Sequence, residues 1–212
     1  MKYLVVISLP VFLLISGCAT TMNKDQCLVA DWRTAGYEDG TAGRSEEWLA
    51  RRGDACAKYG VTPNLDEYLV GRNDGLRVFC RPRRGFEIGR RGKYYNNVCP
   101  NDLEGPFLVA FQDGKGIFDR ERHYNNIEDE IANSLQELDV LDNQITDATV
   151  ALATGNMSDV DRIDLAINLK NMAEERGRIK ERLPQMEADL DQARYDLDTF
   201  SASILPKYPG AS

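Results

Sequence analysis

Histidine is all but missing from this sequence: His123 is the only one among 212 residues. A metal site built on paired imidazoles is therefore excluded, and no serine has an obvious base to activate it. His123 itself lies among Arg122, Tyr124 and Asn125 and reads as a solvated surface residue. Neither a G-x-S-x-G elbow nor a G-x-x-x-x-G-K phosphate loop occurs, so the chemistries those turns support are not indicated. Close cysteine pairs are missing too. Cys27, Cys56, Cys80 and Cys99 stand 29, 24 and 19 residues apart, whereas zinc favours pairs such as C-x-x-C. No metal and no cofactor is expected. The last absence is a long apolar run. The stretch from Leu4 to Ile15 is interrupted by Ser8 and Pro10 and falls short of the about 20 residues that span a bilayer.

That stretch does offer a secretory pattern: Lys2, the apolar run, then the small residues Ser16-Gly17 before Cys18. Ile15-Ser16-Gly17-Cys18 resembles the lipobox of bacterial lipoproteins. The resemblance implies a diacylglycerol on the Cys18 sulfur, cleavage before Cys18, and acylation of the new amino group. At about 0.8 kcal/mol per buried methylene, several chains anchor almost permanently. Residue 19 is alanine, not the aspartate that resembles an inner-membrane retention signal. The expected address is the outer membrane, lipid-anchored and facing the periplasm. Residues 1–17 are then a signal peptide and 18–26 a lipidated tether that reaches about 25 Å at most.

Four cysteines remain in an oxidising compartment, an even number that reads as two disulfides with three possible pairings. Cys27–Cys56 with Cys80–Cys99 closes the shortest loops and is the pairing expected, the other two remaining open. All four lie before residue 100, which makes 27–100 a small stapled domain. Charge shifts at the same place. Residues 18–100 hold 14 basic and 11 acidic side chains, and 101–212 hold 11 basic and 23 acidic, a step that marks a boundary.

Helical spacing recurs through the stapled segment. Trp32, Ala35, Gly36, Gly40 and Gly43 share a face, with Asp31 placed to cap it. Trp48, Leu49, Arg52, Ala55, Cys56 and Tyr59 form a second stripe that Gly60 ends. Pro63-Asn64 opens a third, carrying Leu65, Tyr68, Leu69, Leu76, Phe79 and Cys80. Residues 35–40, 70–75 and 110–114 look like three degenerate copies of one Asp-Gly pattern. An Asp-Gly also suits a two-residue hairpin turn. Glycines four apart share a helix face and let backbones approach closely, which favours helices, although each costs about 1 kcal/mol against alanine.

Arg81, Arg83, Arg84, Arg90, Arg91 and Lys93 face a single acid, Glu87, among Pro82, Gly85, Gly89 and Gly92. That composition predicts a loop, and its forked donors make it the candidate anion-binding surface. After residue 100, Ile127, Ile131, Leu138, Leu141, Ile145, Ala148 and Leu152 keep alternating steps of three and four, with Ser134 polar in the seam. Thr154-Gly155-Asn156 breaks the run and Ser158 resembles a capping residue. Leu165, Leu169, Met172, Ile179, Leu183, Met186, Leu190, Ala193, Leu197 and Phe200 continue the period, Arg176 excepted. Residues 101–205 thus read as an antiparallel coiled-coil hairpin, with arms of about 60 Å for about 40 residues each. Pro184 is expected to kink or break the second arm, and 206–212 to be a frayed tail. The fold class is all-α.

Asp31-Trp32, Gly36-Tyr37-Glu38-Asp39-Gly40, Cys56, Tyr59-Gly60-Val61, Tyr68, Gly71-Arg72, Gly75-Leu76, Cys80, Gly89-Arg90, Gly92, Tyr95, Val98-Cys99-Pro100 and Asp113-Gly114 carry a further resemblance. From Cys27 to Gly116 the chain resembles the Gram-negative lipoproteins grouped as domain of unknown function 2799, with an extra arginine or two in the 81–91 segment. The resemblance implies location and architecture and brings no catalytic residues.

The chain is accordingly expected not to be an enzyme. The leading expectation is a structural or adaptor protein, bound to the membrane by its lipid, that engages a protein partner or a second copy through the coiled coil. The alternative is a binder of an anionic envelope component (lipopolysaccharide, phospholipid or peptidoglycan) through 81–93; nucleic acid is no partner in this compartment. A remote alternative makes Asp39, Asp74 and Asp113 a carboxylate cluster, as a hydrolase needs.

Overall fold

The computed structural model describes residues 22–210; Cys18, the signal segment and the start of the tether lie outside them. The described residues fold into helices without strands, so the all-α expectation holds. Tertiary contacts divide the chain into two compact units, one ending at Leu76 and the other beginning at Arg77.

The first unit opens with α1 (Lys24–Leu28), where Asn23 and Gln26 cap each other reciprocally. In α2 (Trp32–Thr41) the Asp31 side chain accepts from Thr34 N, as the sequence suggested. Next come α3 (Glu47–Ala57) and α4 (Leu65–Phe79), the latter started by Asn64, whose side chain accepts from Glu67 N at 3.2 Å. Met22, Cys27, Trp32, Ala35, Cys56 and Tyr68 form the core. The Cys27–Cys56 disulfide lies within it.

The Asp-Gly segments are helical and not turns. Gly36 and Gly40 on α2 face Gly71 and Gly75 on α4, and a Cβ added at any of the four would overlap the backbone of the facing helix. Glycine is required here for close approach, and this offsets its poor helix propensity.

The second unit uses the same device. Residues 82–90 form helix α5 (Pro82–Arg90), which corrects the loop expected over 81–93. Pro82 occupies the first turn, where its missing N–H costs nothing. Gly85 and Gly89 are contact positions against α6 (Asn101–Thr154), whose own Gly114 meets the backbone at Phe86. Gly92 is the break: its φ of 62° matches the 64° of Gly43 after α2. Both helices end in the same bonds, Arg44 N to Asp39 O at 3.0 Å and Lys93 N to Ile88 O at 3.1 Å, the glycine-terminated cap of many helices. The 77–100 segment therefore belongs with α6, and the charge step near residue 100 marks where α6 begins rather than where contacts divide the chain.

Beyond α6, Ser158 caps α7 (Asp159–Ile204), accepting from Asp161 N. Leu138, Leu141 and Ile179 are buried with Met172 and Leu183 packed on them, so the two arms pair along the expected seam. The seam's polar exceptions also find their reasons: Ser134 is buried and small, and the Arg176 guanidinium meets Asp142 on the opposite arm. Pro184 does not interrupt α7. The tail is docked as far as Gly210. After the 3-10 turn Leu205–Lys207, the Tyr208 ring stacks on Phe86 with centroids 4.4 Å apart, and Arg83 donates to the Gly210 carbonyl.

Cys80–Cys99 is the second disulfide, so the expected pairing is borne out. Its closed loop of 19 residues constrains the unfolded chain by about 3 kcal/mol in the chain-entropy model. Replacing Cys80 and Cys99 together by serine should lower the unfolding free energy in urea by about that amount.

Candidate functional site

The three recurrent aspartates do not come together. Asp39 is fully buried in the first unit. Arg52 grips it with Nε at 2.8 Å and Nη2 at 2.7 Å, Arg44 Nη1 donates at 2.8 Å, and Tyr68 OH donates at 2.8 Å. Burial pushes the carboxyl up, but the hydrogen bonds from Arg52, Tyr68 and Arg44 outweigh it and hold Asp39 below the usual carboxylate range. Burial, with the hydrogen bond to Asp39, pushes the Tyr68 hydroxyl far above its ordinary value. Closed to solvent and saturated with donors, Asp39 is a structural pin between α2, α3 and α4. Asp74 is exposed and pairs with Arg33 at 3.1 Å. Asp113, in the other unit, accepts from Tyr208 OH at 2.9 Å, and that hydroxyl is pushed up to about 12 by burial and by Asp113. The carboxylate cluster is thereby corrected. No group of three or more His, Cys, Asp or Glu fit to hold a metal occurs among the described residues.

The basic segment is partly spent inside its own unit. Arg83 and Arg84 both pair with Glu87, at 3.3 and 3.2 Å, and Arg90 forks onto both oxygens of Glu121. Arg81, Arg91 and Lys93 are left exposed at the two ends of α5. As an anion-binding surface the cluster is thinner than its composition implied, because helix geometry brings Glu87 within three and four residues of two arginines.

One feature escaped the sequence reading. Val160, Ile163 and Ile167 are 68%, 60% and 52% exposed. They are three and four residues apart, so they share one face of α7, and they are out of phase with the seam residues Leu165, Leu169 and Met172. That face is turned away from α6, where a two-helix coiled coil has only polar requirements. The signal was present as a second apolar spacing offset from the heptad. Asp159, Asp161 and Asp164 interleave with it. Nearby, a shallow hollow of about 660 Å³ lies between the arms, lined by Ala148, Ala151, Leu165 and Met172 among others.

No helix among the described residues is long and apolar enough to cross a membrane. No curated protein and no solved structure matches the chain. A family model does match, over residues 31–116, a span that takes in the glycine-packed helix pairs of both units and stops before the hairpin extends. Over that segment the chain is thus similar to the family described as protein of unknown function (DUF2799), as its resemblance to that family led one to expect.

Proposed function

We propose that the protein is an envelope lipoprotein, held by lipid on Cys18 at the outer membrane and facing the periplasm, that acts as an adaptor for a protein partner. The partner sits on the outward face of α7 near the turn of the hairpin. The observation that carries this reading is the exposed row of Val160, Ile163 and Ile167. Removing apolar surface from water contributes about 25 cal/mol per Å², and three aliphatic side chains at i, i+3 and i+7 match the way an amphipathic helix is held. The aspartates between them favour a partner segment that is basic at its edges.

Two variants test the two halves of the proposal. Cys18→Ser should move the protein from the membrane fraction to the soluble one; unchanged fractionation rejects the anchor. The triple change of Val160, Ile163 and Ile167 to serine should stay membrane-bound and helical, since these side chains are already in water, yet lose the protein that copurifies after cross-linking. Equal recovery of that protein rejects the adaptor surface.

A further inference from the structure

The segment joining α5 to α6 is held rigid. At Gly92 a Cβ would overlap the Phe118 ring. Tyr95 is buried against Phe107, with ring centroids 4.8 Å apart. Its hydroxyl accepts from Cys99 N at 2.9 Å and lies 3.3 Å from Glu104 Oε1, and Cys99 is tied to Cys80. Beside these anchors Tyr94 is 82% exposed. An aromatic ring on a fixed loop, offered to water with no packing role, is a feature of recognition sites rather than of stability.

A groove of about 390 Å³ runs past that ring, between the loop and α6. Leu108 and Phe111 supply apolar surface, Asn97 and Gln112 supply amides, and Lys93 and Lys115 supply ammonium groups. None of the residues lining it is acidic. Lys115 is paired with Asp119, one turn along α6, whereas Lys93 is exposed and makes no ion pair with a described residue. The combination fits one ligand chemistry. A flat ring face takes the C–H face of a sugar, amides meet hydroxyl or acetamido groups, and an unpaired lysine meets a negative charge.

We infer that this groove binds a sugar bearing a carboxylate or a phosphate, the ring lying on Tyr94 and the anion on Lys93. The site is separate from the hairpin face, so its fate and that of the adaptor reading are independent.

The test is a titration of the full chain, followed by the NMR resonances of Tyr94 and Gln112. Its two probes are N-acetylmuramic acid for the carboxylate and N-acetylglucosamine 1-phosphate for the phosphate. Inorganic phosphate and neutral N-acetylglucosamine serve as comparisons. At least one anionic sugar should bind with a Kd of about 1 mM or better, and Tyr94→Ala and Lys93→Ala should each weaken it about tenfold, as expected for losing roughly 1.4 kcal/mol. Both side chains are exposed, so the urea midpoints of the variants should match the parent. Arg84→Ala, outside the groove, should leave binding unchanged. Saturation by only one of the two anionic sugars names the anion and supports the site. No shift with either sugar overturns the inference. So does equal binding by inorganic phosphate, or binding that survives both variants.

Discussion

Gly71→Ala should cost the first unit about 3 kcal/mol or more of stability, while Gly177→Ala should raise stability by up to about 1 kcal/mol. Both glycines lie inside helices, so intrinsic propensity favours alanine equally at each. Surroundings decide the sign. Around Gly177 nothing lies within 4 Å of an added Cβ. At Gly71 the methyl would overlap the backbone of Arg33, even whose Cα stands 3.0 Å away. A backbone cannot swing aside as a side chain can, so α2 and α4 must separate along the face that Gly36, Gly40, Gly71 and Gly75 share. Urea unfolding checks this, and Trp32 and Trp48, the two tryptophans of the chain, both report from the first unit. A Gly71→Ala protein as stable as its parent would refute the close packing.

The second large effect is Asp39→Asn, expected to cost about 3–5 kcal/mol because Arg52 is left buried without its counter-charge. The pH dependence follows from the direction of the Asp39 shift. Its folded value is lowered, so the pin stabilises above the unfolded value of about 3.9 and is lost as pH falls through the folded one. The second unit holds no such pin at the matching positions. Ile88 precedes Gly89 as Asp39 precedes Gly40, and Phe107 stands three before Ala110 as Tyr68 stands three before Gly71. Acid should therefore unfold the first unit before the second. Tryptophan fluorescence should fall at higher pH than the helical circular dichroism of the hairpin. In Asp39→Asn the fluorescence change should lose its acid limb. Coincident transitions in the parent protein would count against the pin.

Periodicity and cysteine spacing exposed most of this architecture because both encode contacts directly. The seam from Ile127 to Phe200 repeats often enough to override Ser134 and Arg176, and the disulfides pair as the shortest loops require. Helix α5 was hidden because Gly85, Gly89 and Pro82 are breakers when scored alone; only the presence of Gly114 opposite turns them into contact residues. That segment, Gly85-Phe86-Glu87-Ile88-Gly89, is the fourth copy of a pattern of which the sequence displayed three. The docking of Tyr208 was equally hidden, since a tail rich in Pro and Gly reveals nothing about a ring lodged on Phe86. At the candidate sites, composition overstated the basic cluster by ignoring Glu87 and Glu121. It also missed the α7 row, which becomes visible once the seam has been assigned and the remaining apolar positions are asked to justify themselves.

A photo-reactive side chain placed at Ile163 of the full-length protein in living cells tests the adaptor reading most directly. Glu181, exposed on the same helix further from the turn, is the reference position. The expected result is a discrete cross-linked product with a second protein from position 163, none from 181, and loss of the product when Val160 and Ile167 are serine. No product from position 163, or the same product from both positions, would contradict it.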